Sequence, residues 1–275
     1  MTGAPAADRD AVRGYWDRRP CNLRHSPEPV GTRAYFDQVE TRKYFVEPHI
    51  PAFADFARWR GRRVLEVGCG IGTDTVSFAR AGAALTAVDL SGVSLGLTRR
   101  RLAVYGLGAN LVQGDAESLA FLPDDHFDLV YSFGVIHHTP HPERAAAAIR
   151  RVLRPGGELR LMVYNRWSYK VLAICARGLL RGRTDLARLI REESEAQHGS
   201  PVTFAYSDAG ARRLLPGFTV VSIRNDHVFP WVVADYVQHR YRKRWWFQAL
   251  PPRWFAFLEA RLGWHKLIVA RKPAA

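Results

Sequence analysis

Arg63-Val64-Leu65-Glu66-Val67-Gly68-Cys69-Gly70-Ile71-Gly72-Thr73-Asp74 decides the fold. A short apolar run of strand character leads into a turn with glycine at alternate positions. Thr75, Val76, Phe78 and Ala79 then take up helical spacing, with Thr73 placed to cap the helix. Glycine at 68, 70 and 72 allows positive φ at little cost and lets backbone pass close to a ligand, because no side chain intervenes. The spacing is G-x-G-x-G, not the G-x-G-x-x-G that cradles a dinucleotide pyrophosphate on a helix N-terminus, and so favours a ligand without phosphates.

Working outward, strand and helix patterns alternate, as a parallel sheet with helices on both faces requires. Strands are expected at 84–89, 110–113, 127–133 and 158–164, with helices at 93–105 and 143–153 and a turn at Arg154-Pro155-Gly156-Gly157. The run 127–133 is nearly continuous in apolar residues, as in a strand covered on both faces. It opens into Gly134-Val135-Ile136-His137-His138-Thr139-Pro140 at a strand carboxyl end, where ligands sit in such sheets. His137, His138 and His141 invite a metal reading, but Pro140 and Pro142 break helical geometry through them, and no metal is expected.

Taken in order, Glu66-x-Gly68-x-Gly70-x-Gly72 and the segments after it resemble the motif series of class I S-adenosylmethionine-dependent methyltransferases over residues 60–165. A more distant similarity is to the ubiquinone and menaquinone methyltransferases. The resemblance implies an α/β, Rossmann-like doubly wound sheet, mostly parallel with an antiparallel terminal strand. It implies S-adenosylmethionine as cofactor and S-adenosylhomocysteine as product. The turn from Glu66 through Gly68, Cys69, Gly70 and Gly72 to Thr73 and Asp74 is then expected at the cofactor's methionine end. Asp89 ends the second strand 21 positions after Gly68 and is expected to accept from both ribose hydroxyls, with Leu90 and Ser91 beside it. Asp115 is expected to accept from the adenine amino group while the Ala116 N–H donates to the ring. Phe133, Gly134 and His137 are expected beside the sulfonium, and His137, His138 and Tyr164 are the catalytic candidates. Histidine supplies a base that titrates near neutral pH, but the resembled family carries histidine in this loop whatever the acceptor atom. Which of the two acts stays open.

The flanks follow no motif. Apolar spacing gives helices at 11–19, 33–45 and 50–59, and residues 1–60 are expected to form a helical N-terminal cap on a methyltransferase domain over 61–275. Insertions are expected at 165–200, with helices over 168–180 and 185–195, and at 228–265. Around them lie a helix at 207–215 and strands at 218–224 and 266–270. In the second insertion Trp231, Trp245, Trp246 and Trp254 interleave with Arg242, Lys243, Arg244 and Arg253. Specificity is expected in these caps. Tyr15, Arg42, Asn165, Tyr236 and Arg240 are the candidate substrate contacts, with plain aromatic packing and surface exposure as the competing reading.

Composition bounds the rest. At 275 residues and 47% hydrophobic, the chain has enough apolar mass for a substantial core. The formal charge of +14 gathers at 177–191 and 240–244, suiting an anionic substrate, an anionic membrane surface or nucleic acid, or reflecting arginine-rich composition alone. No RNA-binding motif and no Asn-Pro-Pro-Tyr or Asp-Pro-Pro-Tyr signature accompanies it, which argues against nucleic acid. No apolar run approaches the roughly 20 residues that span a bilayer, and residues 1–10 lack a signal-peptide core, so a cytoplasmic protein is expected. Peripheral membrane contact around 168–183 and oligomerisation through the inserted helices stay open. Cys21, Cys69 and Cys175 fit neither a disulfide framework nor a metal site. The expected acceptor is an O or N atom of a small molecule, or a peptide carboxyl, in specialised metabolite biosynthesis. The alternatives are a quinone or lipid precursor at a membrane surface and a cofactor-binding scaffold without turnover.

Overall fold

The computed structural model describes residues 8–193 and 200–274. Helices Arg9–Arg18 (α1), Arg33–Val46 (α2) and His49–Ala54 (α3) precede strand Arg63–Val67 (β1). Then follow Thr73–Arg80 (α4), Ala84–Asp89 (β2), Gly92–Tyr105 (α5), Asn110–Gln113 (β3), Phe127–Phe133 (β4), Pro142–Val152 (α6) and Leu153–Asn165 (β5). The first insertion contributes Tyr169–Leu180 (α7) and Leu186–Glu193 (α8), and the remainder of the expected 185–195 helix lies outside the described residues. After Ala205–Tyr206 (β6), Asp208–Leu214 (α9) and Thr219–Asp226 (β7), the second insertion folds as three short helices, Val233–Tyr236 (α10), Trp245–Gln248 (α11) and Pro252–Leu262 (α12). His265–Arg271 (β8) closes the sheet.

The strand order is β3-β2-β1-β4-β5-β8-β7, with β6 on β5. The pairs from β3 to β5 are parallel, and β8 runs antiparallel between β5 and β7. This is the Rossmann-like doubly wound sheet with an antiparallel end. Neighbouring residues of a strand face opposite sides, and both sides are apolar. Val64 and Leu129, paired in register, pack with Phe53, Trp59 and Phe78. Leu65 and Val130, one position on, pack with Ala145 and Ile149 of α6. Each such side chain, fully removed from water, contributes about 1.5–3 kcal/mol, and burial on both faces is why β1 and β4 read as continuous apolar runs.

The N-terminal helices are fixed to the sheet layer through α5. Buried Arg101 of α5 donates to Phe36 O at 3.0 Å, to Glu40 at 3.2 Å and to Thr73 Oγ1 at 2.7 Å. Thr73 is therefore not the cap of α4. That position belongs to Gly72 in left-handed backbone, without a side-chain cap bond. The helix expected over 50–59 is also interrupted: Asp55 adopts φ 49°, and residues 56–59 continue as a tighter 3-10 turn. Among the described residues no helix is long and apolar enough to cross a membrane.

Candidate functional site

The turn after β1 is shaped by its three glycines, which take φ of 79°, 56° and 78°. A Cβ on Gly68 would stand 2.2 Å from Val135 Cγ2, so the loops after β1 and β4 meet only because residue 68 has no side chain. A Cβ on Gly70 would meet nothing within 4 Å. That side of the turn is open space, and Gly70 lines a cavity of about 300 Å³.

The cavity follows the carboxyl edge of the sheet. Asp115 after β3, Asp89 of β2, residues 68–71 after β1, Phe133 and Gly134 at the end of β4, Tyr164 of β5 and His265 of β8 line it in strand order. Asp89 and His265 are four strand spacings apart, about 19 Å at about 4.8 Å each. Val12 and Trp16 of α1, with Lys43 and Glu47 from the end of α2, complete the wall.

At the β2 end, Asp89 Oδ2 accepts from the Gly70 N–H and Oδ1 from the Ser91 N–H, both at 2.8 Å. The two carboxylate oxygens together offer about four acceptor positions, so capacity for a ligand hydroxyl remains. Burial pushes this carboxyl up to about 6, against the hydrogen bonds from Ser91 and Gly70 that favour its charge. Ser91 itself caps α5 through the Ser94 N–H and donates to Asp17 of α1 at 2.7 Å. Asp115 Oδ1 accepts from the Glu117 N–H at 2.9 Å, a turn that holds its carboxylate on the cavity wall. A carboxylate with spare acceptor sites, an open glycine face and a second acidic turn suit a nucleoside carrying an amino-acid tail.

Glu66 and Asp74 lie behind the turn and do not line the cavity. Glu66 accepts from Thr75 Oγ1 at 2.6 Å, and burial, aided by the charge of Asp74, pushes its carboxyl up to about 8. Asp74 accepts from the Tyr44 and Tyr131 hydroxyls at 3.0 and 2.9 Å and pairs with Lys43 at 2.9 Å. This tie holds Lys43 where its Nζ stands 5.8 Å from the Phe133 ring centroid.

At the other end, Tyr164 stacks on Trp264 at 3.9 Å between centroids and packs against His137 at 4.0 Å. His138 lines the cavity. Its Nδ1–H donates to Val202 O at 2.9 Å, and its ring meets Trp16 at 5.3 Å. His137 is fully buried, does not line the cavity, and has no hydrogen-bond partner at either ring nitrogen among the described residues. Burial holds its pKa well below the ordinary imidazole range. Below Phe133, His49 and His265 are 3.0 Å apart (Nε2 to Nδ1), and the His227 ring stacks on His265 at 4.5 Å. Burial lowers the pKa of all three, to about 4 for His49 and about 3 for His227.

Of the residues singled out from sequence, Gly68, Cys69, Gly70, Thr73, Asp89, Leu90, Asp115, Ala116, Phe133, Gly134, His138 and Tyr164 share this one cavity. Gly72 and Ser91 support its turns from outside it. The substrate candidates do not gather there. Arg42 donates to His239 and to Tyr236 O at 2.7 Å and lies 4.4 Å from the Tyr236 ring, joining α2 to the second insertion beside a separate hollow. Arg240 pairs with Asp235 at 2.9 Å, and Tyr15 is buried while its neighbour Trp16 reaches the cavity. The Asn165 amide donates to Gly263 O and its oxygen accepts from the Trp167 N–H, so it braces two loops. Lys43, Glu47, Met162 and His265 line the cavity without having been singled out. His265 had a signal: an antiparallel terminal strand must begin at the edge where its parallel neighbours end.

A methyltransferase-domain family model matches residues 65–161. A ubiquinone biosynthesis O-methyltransferase of Aromatoleum aromaticum is 31% identical over 173 residues, covering 60% of this chain and 74% of that protein. The chain belongs to the class I S-adenosylmethionine-dependent methyltransferases. Its cofactor is S-adenosylmethionine. The protein of the same name from Methylococcus capsulatus is 35% identical over 137 residues, 48% of this methyltransferase and 58% of that one, so with several relatives the match spans little more than half their length. Magnesium protoporphyrin IX methyltransferase from Synechocystis, solved with bound S-adenosylhomocysteine, shares the fold at a TM-score of 0.61 with 16% identity over 96% of this chain and all of that one. The 4+2 cyclase SpnF does so at 0.62 with 19% identity over the whole of both chains.

Proposed function

We propose that this methyltransferase methylates an oxygen, or a nitrogen, of a small-molecule acceptor that enters beside Tyr164. The observation carrying this reading is the single cavity running from Asp115 and Asp89 past the open Gly70 face to Phe133, His138 and Tyr164. Bound S-adenosylmethionine supplies a sulfonium methyl carbon open to in-line displacement by an acceptor lone pair. Asp115 and the Ala116 N–H take the adenine, the free lone pairs of Asp89 take the ribose hydroxyls, and the glycine turn admits the methionine end. The protein's share is alignment and exclusion of water, and well-oriented reactants can recover about 7–11 kcal/mol of a barrier. With Nδ1–H donating to Val202 O, the neutral tautomer of His138 carries its lone pair on Nε2, the atom that takes the acceptor proton in this reading. His137, buried and unpartnered, serves as the packing surface of Tyr164. Residues 8–60 and the two insertions act as the cap that selects the acceptor. The ubiquinone biosynthesis O-methyltransferases among the relatives favour oxygen over nitrogen as the acceptor atom. The test is transfer of label from methyl-labelled S-adenosylmethionine into small molecules of a cell extract. A labelled small molecule whose mass rises by one methylene supports the reading. Cofactor binding without transfer to any acceptor contradicts it and favours a scaffold role or another chemistry on this fold.

A second reading rests on the surface. Leu180 is 89% and Trp245 75% exposed, with Trp254 and Phe257 also open, near Arg177, Arg181 and Arg253. Tyr169 packs on Phe247 at 5.9 Å, which brings α7 beside α11. Exposed aromatics and leucines flanked by arginine suit an anionic membrane surface carrying a quinone or lipid precursor. Flotation with anionic vesicles decides it, and a chain that stays unbound removes this version.

A further inference from the structure

At the end of the cavity remote from Asp89, Glu47 after α2, His49 of α3, Asp226 and His227 at the end of β7, and His265 of β8 converge. Among their side chains one close hydrogen bond forms. His49 Nε2 and His265 Nδ1 share one hydrogen bond of 3.0 Å. Beyond it, His265 Nε2 stands 3.6 Å from Glu47 Oε1 and His49 Nδ1 stands 3.5 Å from Asp226 Oδ1. Both gaps exceed the about 2.7–3.2 Å of a formed N–H···O bond. One ligand atom each from Glu47, His227 and His265 lies within 4.8 Å of the other two. Two imidazole nitrogens and one carboxylate oxygen are the donor set of open catalytic zinc sites and of the facial triad of non-haem iron.

We propose that Glu47, His227 and His265 bind one divalent transition-metal ion at the acceptor end of the cavity, leaving coordination positions for an oxygen of the acceptor. An ion at about 2.0–2.2 Å from each ligand needs them about 3–3.5 Å apart. A shift of about 1 Å per side chain closes the set. His265 has the outer support such a ligand uses: its Nδ1 is bonded to His49, whose other nitrogen faces Asp226, which orients the ring and leaves Nε2 for the ion. His227 sits in left-handed backbone at φ 69°, unusual for a residue other than glycine, held by its N–H to Asp226 Oδ1 at 2.8 Å and by the Trp264 N–H on its carbonyl at 2.9 Å. Ring packing alone would be served by phenylalanine, whereas three buried imidazoles beside the partly buried carboxylates of Glu47 and Asp226 cost desolvation that an ion offsets. The nitrogen donors favour Zn²⁺, Fe²⁺ or Co²⁺ over Mg²⁺ or Ca²⁺.

The proposal deepens the acceptor-end reading, and its test needs no turnover. The full chain is stripped with chelator, then dialysed against Zn²⁺ or Co²⁺. One equivalent of Zn²⁺ per chain and visible Co²⁺ bands that move on adding acetohydroxamate, an oxygen chelator, are the expected results. Glu47→Gln, His265→Gln and His227→Asn, the last tolerant of left-handed backbone, each weaken Zn²⁺ binding at least about 10–100-fold, while His141→Ala leaves it unchanged. His49→Phe weakens it about 10-fold through the outer shell. Circular dichroism and S-adenosylhomocysteine binding identify the variants that remain folded. Wild-type protein that takes up no Zn²⁺ at micromolar concentration overturns the site, as does a folded His227→Asn/His265→Gln double variant that binds like wild type. Methyl transfer that persists in the stripped protein would leave the function standing while the ion's part in it falls.

Discussion

Between Asp115 and Phe133 the cavity wall is made by strand ends within one continuous stretch of chain. From Tyr164 to His265 it is made by segments that meet only after two insertions and an antiparallel strand have been placed. The first region carries its chemistry in a spacing, because glycine and carboxylate positions are set by where each parallel strand stops. The second depends on which side chains the caps deliver, and Glu47, at the end of a helix in the N-terminal cap, reaches His265 at 3.6 Å from more than two hundred positions away. On the proposed reading, one site has a cofactor end written locally and an acceptor end written by tertiary structure.

Substitutions can break that contrast. The largest effect is expected from Gly68→Val. Added carbon meets Val135 Cγ2 at 2.2 Å on a residue with φ 79°, so stability should fall by about 3 kcal/mol or more and S-adenosylhomocysteine binding should vanish. Thermal unfolding and calorimetry check both, and near-normal binding would mean that the two loops do not close as described. His138→Ala should lower turnover about 100-fold while leaving cofactor affinity within about threefold. Equal losses in both would move His138 to the cofactor end.

A smaller effect is expected from Glu66→Gln. The buried carboxyl has its pKa raised from 4.5 to about 8, so between those values the folded protein holds a proton that the unfolded chain has lost. Stability contributed by Glu66 is thus lost as pH rises through that window. The glutamine variant should flatten the decline and at pH 8.5 should be more stable than wild type by at least about 1.4 kcal/mol, the worth of one pKa unit. Parallel stability curves would show that Glu66 is ionised in the fold.

Legibility followed the same division. The parallel strands, the antiparallel end and the cavity-lining members of the glycine series were readable because period and turn chemistry are local. Thr73 was misplaced as a cap because Arg101, 28 positions on, claims its hydroxyl, which no pattern around the turn announces. The break at Asp55 was hidden for a similar reason: left-handed backbone there leaves no mark in the apolar spacing of 50–59. Arg42 and Tyr236 looked like acceptor contacts by residue type, yet they meet each other and hold α2 to the second insertion. His265 was readable only as the first residue of a terminal strand, and His227 as part of a loop.

The most direct measurement is calorimetric titration of S-adenosylhomocysteine into wild type, Asp89→Asn and His265→Gln. Each hydrogen bond to a charged group is worth about 1.5–3 kcal/mol, so Asp89→Asn, which alters the two ribose contacts proposed for this carboxylate, should lose about 100-fold or more in affinity. His265→Gln, about 19 Å along the sheet edge, should stay within about threefold of wild type. Equal losses, or a larger loss at His265, would contradict a cavity with separate cofactor and acceptor ends.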